Sequence, residues 1–382
     1  MTLLTNSSQL AAFCTAHAGE DFITVDTEFM RERTYWSRLC LIQLGGPKEA
    51  VAVDPLAEGM DLKPLLELLA NPKVMKVFHA ARHDVEIFYN LTGMVPQPMF
   101  DTQVAAMVCG FGESASYETL ASSLAGARID KSSRFTDWAR RPLSEKQIEY
   151  ALGDVIHLRV VYEKLRAQLE KSGRAEWMQE EMAVLTSPAT YTVNPQEIWR
   201  KFKWRADKPR TRALFRELAA WRELEAQRLD VPRNRVLRDE AIAEIANHAP
   251  ATAHDLAHTR GLHTGFSESR QGKEILAAIE RANAVPLDQC PPGDPRRVMP
   301  GGLGPVVDLL KVLLKQVSEE HGVASKLIAN TDELEDIAAN DDADVRVLKG
   351  WRRELFGNTA LALKRGELAL GVKARKAVVI KI

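Results

Sequence analysis

Two acids two positions apart, Asp26 and Glu28, interrupt the otherwise apolar run FITVDTEF. Read as a strand, whose side chains alternate between faces, this run puts both carboxylates on one side. Such a pair repels and loses hydration. A divalent cation, which favours oxygen ligands, removes both penalties. The same spacing also suits an edge strand with a solvated face, so the pair alone leaves both readings open. Asp84 follows a strand at the start of a helix, where the helix dipole favours an acid whatever its use. Tyr150 and Asp154 stand at i and i+4 on a long helix and so share a face. Leu143, Ile148, Leu152, Val155 and Leu158 give that helix a buried side, and Tyr150 also fits the core. Cys14, Cys40, Cys109 and Cys290 are scattered with no CxxC pair, which suggests neither zinc nor a disulfide framework and fits a reducing, cytoplasmic compartment.

The elements that must position these residues alternate over the first 165 or so residues. FITVDTEF, LCLIQLGG and EAVAVDP read as three strands joined by short connections, which predicts an antiparallel meander. DLKPLLELLAN reads as a helix, KVMKVFHA as a strand, and ARHDVEIFYNLTG as a helix with a glycine stop. After Pro142, Ser144 and Gln147 form an S-x-x-Q capping box that opens the long helix of Tyr150. The start, MTLLTNSSQLAAFCTAHAGED, has no basic n-region and reads as an amphipathic helix. No apolar run approaches the roughly eighteen residues of a membrane span. From about residue 210 the strand patterns cease and helical ones take over, interrupted by the Pro/Gly-rich VPLDQCPPGDPRRVMPGGLGP. Asp230–Ala246 slides onto Gly322–Ala338 without a gap, matching Val231 to Val323, Val236 to Ile328, Ile242 to Leu334 and Ile245 to Ile337. An internal duplication of a helical module is expected. At 382 residues, two or three domains are expected. The net charge of −1 carries no global signature of nucleic-acid binding.

D-x-E on a first strand, Asp after a later strand and Y-x-x-x-D on a final helix together resemble the tyrosine branch of the DEDD exonuclease superfamily. VDTEFMRERTYWSRLCLIQL, FHAARHDVEIF, DTQVAAM and DKSSRFTDWARRPLSEKQIEYALGDV are similar to the ribonuclease D family over nearly the whole first domain. The resemblance implies an α/β fold, with a ribonuclease-H-like mixed sheet and flanking helices followed by two small all-α modules. It implies a 3′–5′ exoribonuclease that trims structured RNA precursors, tRNA in particular, and releases 5′-mononucleotides with two divalent cations, Mg²⁺ or Mn²⁺. Carried onto this chain, Asp26, Glu28 and Asp154 would ligate one cation, and Asp26 would bridge to a second supported by Asp84. Tyr150 would orient the attacking water or the phosphate, since a phenol with a pKa near 10 is a poor base at neutral pH. Asp101 reads as a capping residue before QVAAMVC, and His79 as a residue that orients or underlies the site.

The stretch after residue 208 resembles the helicase-and-RNase-D C-terminal (HRDC) domain, with a diverged second copy behind it. The expected division is a nuclease domain over 1–190, a first HRDC domain over 208–286, a linker over 287–303 and an HRDC-like domain over 304–375. Two stretches carry cations among aromatics. In KSSRFTDWARRP, Lys131, Arg134, Arg140 and Arg141 surround Phe135 and Trp138, either to meet phosphates or with Trp138 in the core and the arginines solvated. In IWRKFKWRADKPRTR, Arg200, Lys201, Lys203 and Arg205 interleave with Trp199, Phe202 and Trp204. That pattern suits single strands, or an inter-domain connector with docked aromatics. No GxxxxGK[ST] loop occurs, which excludes a helicase and a nucleotide cofactor. The expected partner is the 3′ end of RNA, bound by a monomer away from any membrane. The local spacing does not separate RNA from DNA, so a DNA 3′–5′ exonuclease and a non-catalytic RNA-binding protein are the rivals. Since the acids all precede residue 155, a fragment ending near Ser187 is expected to keep hydrolysing short single strands.

Overall fold

Parallel and antiparallel pairing meet in one sheet, and Asp26 and Glu28 lie on Phe22–Met30, one of its two middle strands. The computed structural model describes residues 2–202, 206–293 and 300–382. Strands β1 (Thr2–Leu4), β2 (Phe22–Met30), β3 (Arg38–Gly45), β4 (Ala50–Val53), β5 (Met75–Phe78) and β6 (Met99–Asp101) lie in the order β1-β4-β3-β2-β5-β6. β3 and β4 are antiparallel, with Ile42 opposite Val53. β5 runs parallel to β2, with Thr24 opposite Val77, and β6 runs parallel to β5, with Phe78 opposite Asp101. This is the expected mixed sheet with flanking helices. The N-terminal reading needs one correction. Before helix α1 (Ser7–His17), Thr2–Leu4 form an edge strand parallel to β4. Three residues are too few for a two-residue period to register against the helical pattern that follows.

Helices α2 (Lys63–Ala70), α3 (Arg82–Thr92), α4 (Thr102–Val108), α5 (Tyr117–Leu120) and α6 (Glu145–Ser172) complete the α/β layer. The capping box of α6 forms as its sequence predicts. The Ser144 hydroxyl accepts the Gln147 N–H at 3.3 Å, and Gln147 Oε1 accepts the Ser144 N–H at 3.0 Å. Twenty-eight residues later the helix stops at Gly173, with φ 67°, a left-handed cap that costs glycine little.

The chain divides into two compact units, each built from separated segments. One comprises Met1–Glu28, Cys40–Ser187 and Arg297–Ile382; the other comprises Phe29–Leu39 and Pro188–Arg296. In the first, the C-terminal helices share the nuclease core rather than forming a body of their own, which departs from the linear division. Val161, Leu165 and Leu169 of α6 belong to one apolar cluster with Leu310, Leu313, Val317 and Phe356. Trp177 stacks on Trp351 with centroids 4.2 Å apart. The Ala324 N–H donates to the Met107 carbonyl at 2.8 Å. Arg352, 1% exposed, donates to the Leu327 carbonyl at 2.7 Å and to Glu180 Oε2 at 2.8 Å. Sequence periodicity reveals that a helix has an apolar face, not what covers it.

In the second unit, helices Pro209–Leu229, Asp239–His248 and Arg270–Ala284 enclose a core of Phe215, Leu218, Ile242, Ile245, Ile275 and Ile279. Phe29–Leu39 is held there by buried polar contacts. The Tyr35 hydroxyl donates to Glu223, a fully buried carboxylate that also pairs with Arg233. Asp230 Oδ1 accepts the N–H groups of Tyr35 and Trp36, each at 3.0 Å.

The helical segments after residues 208 and 303 share a run of a long helix, a four-residue helix, a short helix, a 3₁₀ turn and a closing helix, to which the first adds one more helix, Ala253–Ala257. Gly272 and Gly357 each stand at a close backbone approach. A Cβ on Gly272 would fall 2.4 Å from the Phe266 carbonyl oxygen, and one on Gly357 would fall 2.5 Å from that of Val347. Strands return at the end as a hairpin, β7 (Leu368–Lys373) with β8 (Lys376–Lys381), where sequence reading expected helix only. Its two-residue turn, Ala374-Arg375, has positive φ at both positions without glycine or asparagine, so the usual hairpin signal is missing.

The shared core reverses the expectation for a fragment ending near Ser187. Without residues 304–364, the nuclease layer would lose Trp351 from the face of Trp177, Ala324 from Met107 and Arg352 from Glu180, and would bare apolar surface at roughly 1.5–3 kcal/mol for each large side chain. Such a fragment should be insoluble, or should bind a hydrophobic dye and melt without a cooperative transition. A cooperative melt equal to that of the full chain would contradict the shared core.

Candidate active site

β2 brings Asp26 and Glu28 past its pairing with β5 at Thr24 and Val77. Two hydroxyls set α6 against this point. The buried Thr24 Oγ1 donates to the Val155 carbonyl at 2.9 Å, and Tyr117 Oη donates to the Gly153 carbonyl at 2.8 Å. The two carbonyls flank Asp154 in the chain. As a result, carboxylate oxygens of Asp26, Glu28 and Asp154 all lie within 4.8 Å of one another. The same-face reading of Asp26 and Glu28 therefore describes this site, and Asp154 reaches it from the helix.

Asp84 stands in the first turn of α3, 6% exposed, and its Oδ1 accepts the Thr27 hydroxyl at 2.5 Å. It interacts electrostatically with Asp26 but lies outside the three-acid group. The turn into α3 is tied down by Asp101, 2% exposed, whose carboxylate accepts the N–H groups of Ala80 at 3.0 Å, Ala81 at 2.9 Å and Gln103 at 2.7 Å. Ala80 has φ 57°, a left-handed conformation that costs a residue with a Cβ roughly 1–2 kcal/mol. Asp101 is thus a cap for α4, as read from the sequence, and also a clamp on the turn that presents Asp84. His79 stays out of the acid group; its Nδ1 lies 2.9 Å from Thr102 Oγ1, and burial lowers its pKa.

Crowding decides the electrostatics. Burial, then the charge of Asp154, pushes Asp26 up to about 8. Burial and the charges of Asp26, Asp154 and Asp84 push Glu28 up to about 9, against a lowering by Arg134. Burial raises Asp154 to about 7, again opposed by Arg134, and Asp84 is raised by burial and by Asp26. Tyr150 is raised by burial and then by Asp154, Glu28 and Asp26, which takes its phenol further from use as a base at neutral pH. An all-oxygen, mutually repelling, partly desolvated donor set fits a hard divalent cation, which would reverse each of these shifts.

Asp26 and Asp154 open into a cavity of about 390 Å³ that Tyr150, Arg134, His79 and Tyr117 also line. Tyr117, Thr24 and Thr27 were missed by sequence reasoning. The two threonines flank Asp26 on β2 at the D-x-E motif, whereas nothing local marks Tyr117. The expected phosphate contacts divide. Arg134 and Lys131 line the cavity, Lys131 in an ion pair with Glu118. Trp138 is core at 3% exposure, and Arg141 holds Asp54 with two nitrogens and the Cys40 carbonyl at 2.7 Å. In the second stretch, Trp199 is buried and Arg200 pairs with Glu197. Arg212 donates to the Pro291 carbonyl at 2.7 Å, and Phe202 meets Phe215 edge-on. These contacts are those of a connector. Lys201 is exposed; Lys203, Trp204 and Arg205 lie outside the described residues.

Comparison with known proteins places this geometry. A 3′–5′ exonuclease family matches residues 1–170, and the HRDC domain family matches residues 211–279. A curated ribonuclease D of Nitrobacter hamburgensis is 52% identical, over 99% of both chains. Another, of Granulibacter bethesdensis, is 52% identical over 98% of this chain and 95% of its own. The crystal structure of Escherichia coli RNase D, described as an exoribonuclease involved in structured RNA processing, superposes with a TM-score of 0.80. It shares 31% identity and covers 96% of this chain and 98% of its own. No helix among the described residues is long and apolar enough to cross a membrane.

The raised acids give a pH dependence of defined sign. A carboxyl whose folded pKa lies above its unfolded one favours the folded state while protonated. That contribution is lost as pH rises from the ordinary carboxylate range through about 7 to 9. In EDTA the melting temperature should therefore fall across this window, while added Mg²⁺ or Mn²⁺ should restore it by an increment that grows with pH. A metal-induced increment that is flat with pH would refute this assignment of the buried charge.

Proposed function

We propose that this chain, which belongs to the ribonuclease D family of 3′–5′ exoribonucleases, cuts the terminal phosphodiester of RNA with two divalent cations held by Asp26, Glu28, Asp84 and Asp154 and releases 5′-mononucleotides. The observation that carries this reading is the approach of Asp26, Glu28 and Asp154 within 4.8 Å at a cavity of nucleotide size. Asp26, Glu28 and Asp154 would hold one cation, with Asp26 shared towards a second beside Asp84. When bound, the cations supply the polarisation of the phosphate and the acidification of water. Tyr150, whose phenol stays protonated at neutral pH and so does not take the proton, fixes the line of approach to the phosphorus by hydrogen bonding. Arg134, whose charge already lowers Glu28 and Asp154, offsets the charge that develops on the phosphate. Lys131 and Lys201 are suited to phosphates further along the strand.

We infer tRNA precursors and other small structured RNAs as substrates, Mg²⁺ or Mn²⁺ as the cations, and a cytoplasmic monomer as the acting form. End-labelled RNA and DNA of one sequence, with free or blocked 3′ ends, test the reading. RNA with a free 3′ end should shorten one nucleotide at a time in Mg²⁺ or Mn²⁺ and stay intact in EDTA. Equal cleavage of both polymers, or turnover in excess chelator, would overturn it.

Two substitutions probe the roles. Asp26→Asn should lose about three orders of magnitude in rate, since both cations lean on it, yet melt at a higher temperature in EDTA because one repelling charge is gone. A lower melting temperature there would remove the repulsion from the account. Tyr150→Phe should keep metal-induced stabilisation and lose roughly 10–1000-fold in kcat, the effect of one positioned hydrogen bond in the transition state. Single-turnover rates equal to wild type would leave Tyr150 a packing residue.

A further inference from the structure

Phe135 is 90% exposed, the largest exposure among the bulky apolar side chains described. Its loop is firmly built rather than frayed. On one side Ser133 is buried and its carbonyl accepts the Thr136 hydroxyl at 2.9 Å. Gln147, in the first turn of α6, donates to Thr136 Oγ1 at 3.1 Å. On the other side Trp138 is 3% exposed, its ring 6.1 Å from that of Tyr150, and Arg141 locks the loop's exit onto Asp54. The fold thus buries Trp138 and holds Phe135 outward, forgoing the gain that burial of a phenyl ring would bring.

The ring also stands beside the chemistry. The Arg134 guanidinium lies 5.2 Å from its centroid. That same side chain lines the cavity with Asp26, Tyr150 and Asp154 and is felt electrostatically by Glu28 and Asp154. At about 390 Å³ the cavity has room for one nucleotide, so the base preceding the terminal one must lie at its rim, where a cation and an exposed aromatic face adjoin. Aromatic faces stack bases of any sequence, and a neighbouring arginine adds a cation–π or phosphate contact.

We propose that Phe135 is a stacking platform for the base on the 5′ side of the scissile phosphate, which makes it a positioning residue for the strand. This rests on the cavity taking the 3′-terminal nucleotide, as in the function proposed above. The test uses the full chain with Phe135→Ala and Phe135→Trp. The probes are a single-stranded RNA with 2-aminopurine at the penultimate position and an uncleavable terminal linkage, and the p-nitrophenyl ester of a 5′-mononucleotide, which has no second base. Wild type and Phe135→Trp should quench the 2-aminopurine on binding, and Phe135→Ala should not. On cleavable RNA, Phe135→Ala should raise KM about tenfold, the scale of one lost base stack, with kcat and the melting temperature nearly unchanged. On the ester it should match wild type. Equal quenching and equal KM in wild type and Phe135→Ala would overturn the platform while leaving the nuclease reading intact. An equal loss on RNA and on the ester would show that Phe135 acts on the acid site and not on a second base. Wild type inactive on both substrates would strike the proposed function itself.

Discussion

Repulsion is the constraint around which the nuclease layer is organised. Three carboxylates meet within 4.8 Å and a fourth adjoins Asp26, in surroundings that oppose their ionisation. Left to itself, such a group would spread apart or take up protons. It is held because each acid rides on an element fixed by something else. β2 is central in the sheet, α6 is set by the hydroxyls of Thr24 and Tyr117, and the turn into α3 is clamped by Asp101. The hydrophobic core beneath α6 supplies the free energy that this arrangement consumes, and cation binding releases what has been stored.

Much of this was legible from residues close together in sequence. D-x-E on a strand and Y-x-x-x-D on a helix are local geometries, and so is the Ser144–Gln147 capping box; each needs only one element to form. Asp101 was readable as a cap because its nearest bond, to the Gln103 N–H, spans two residues. Its hold on Ala80 and Ala81 spans about twenty residues and left no trace in the pattern. The same limit hid Tyr117, the burial of Trp199 and the pairing of Arg200. A run of cations and aromatics looks alike whether it waits for phosphate or docks onto its own fold.

The two helical modules show how one pattern can end in two settings. Both open with a long, a four-residue and a short helix, and both use a glycine where a helix passes close to a carbonyl. The first gathers Phe29–Leu39 into its own unit through Tyr35, Glu223 and Asp230. The second shares one apolar cluster with the nuclease layer and meets it at Met107 and Trp177. Two helical segments of similar order thus differ in what the side chains on their faces meet.

The interleaving of segments bears on how the polypeptide is made. Phe29–Leu39 leaves the ribosome long before Pro188–Arg296, with which it forms a unit, and Met1–Glu28 long before the last segment of its own. Neither unit can close while the chain is still growing through its middle, although nascent proteins generally fold domain by domain from the N-terminus. Tyr35 waits for Glu223 to be synthesised, and Trp177 and the Met107 carbonyl wait longer, for Trp351 and Ala324. The sheet, whose six strands lie within residues 2–101, therefore leaves the ribosome well before the segment that completes its unit.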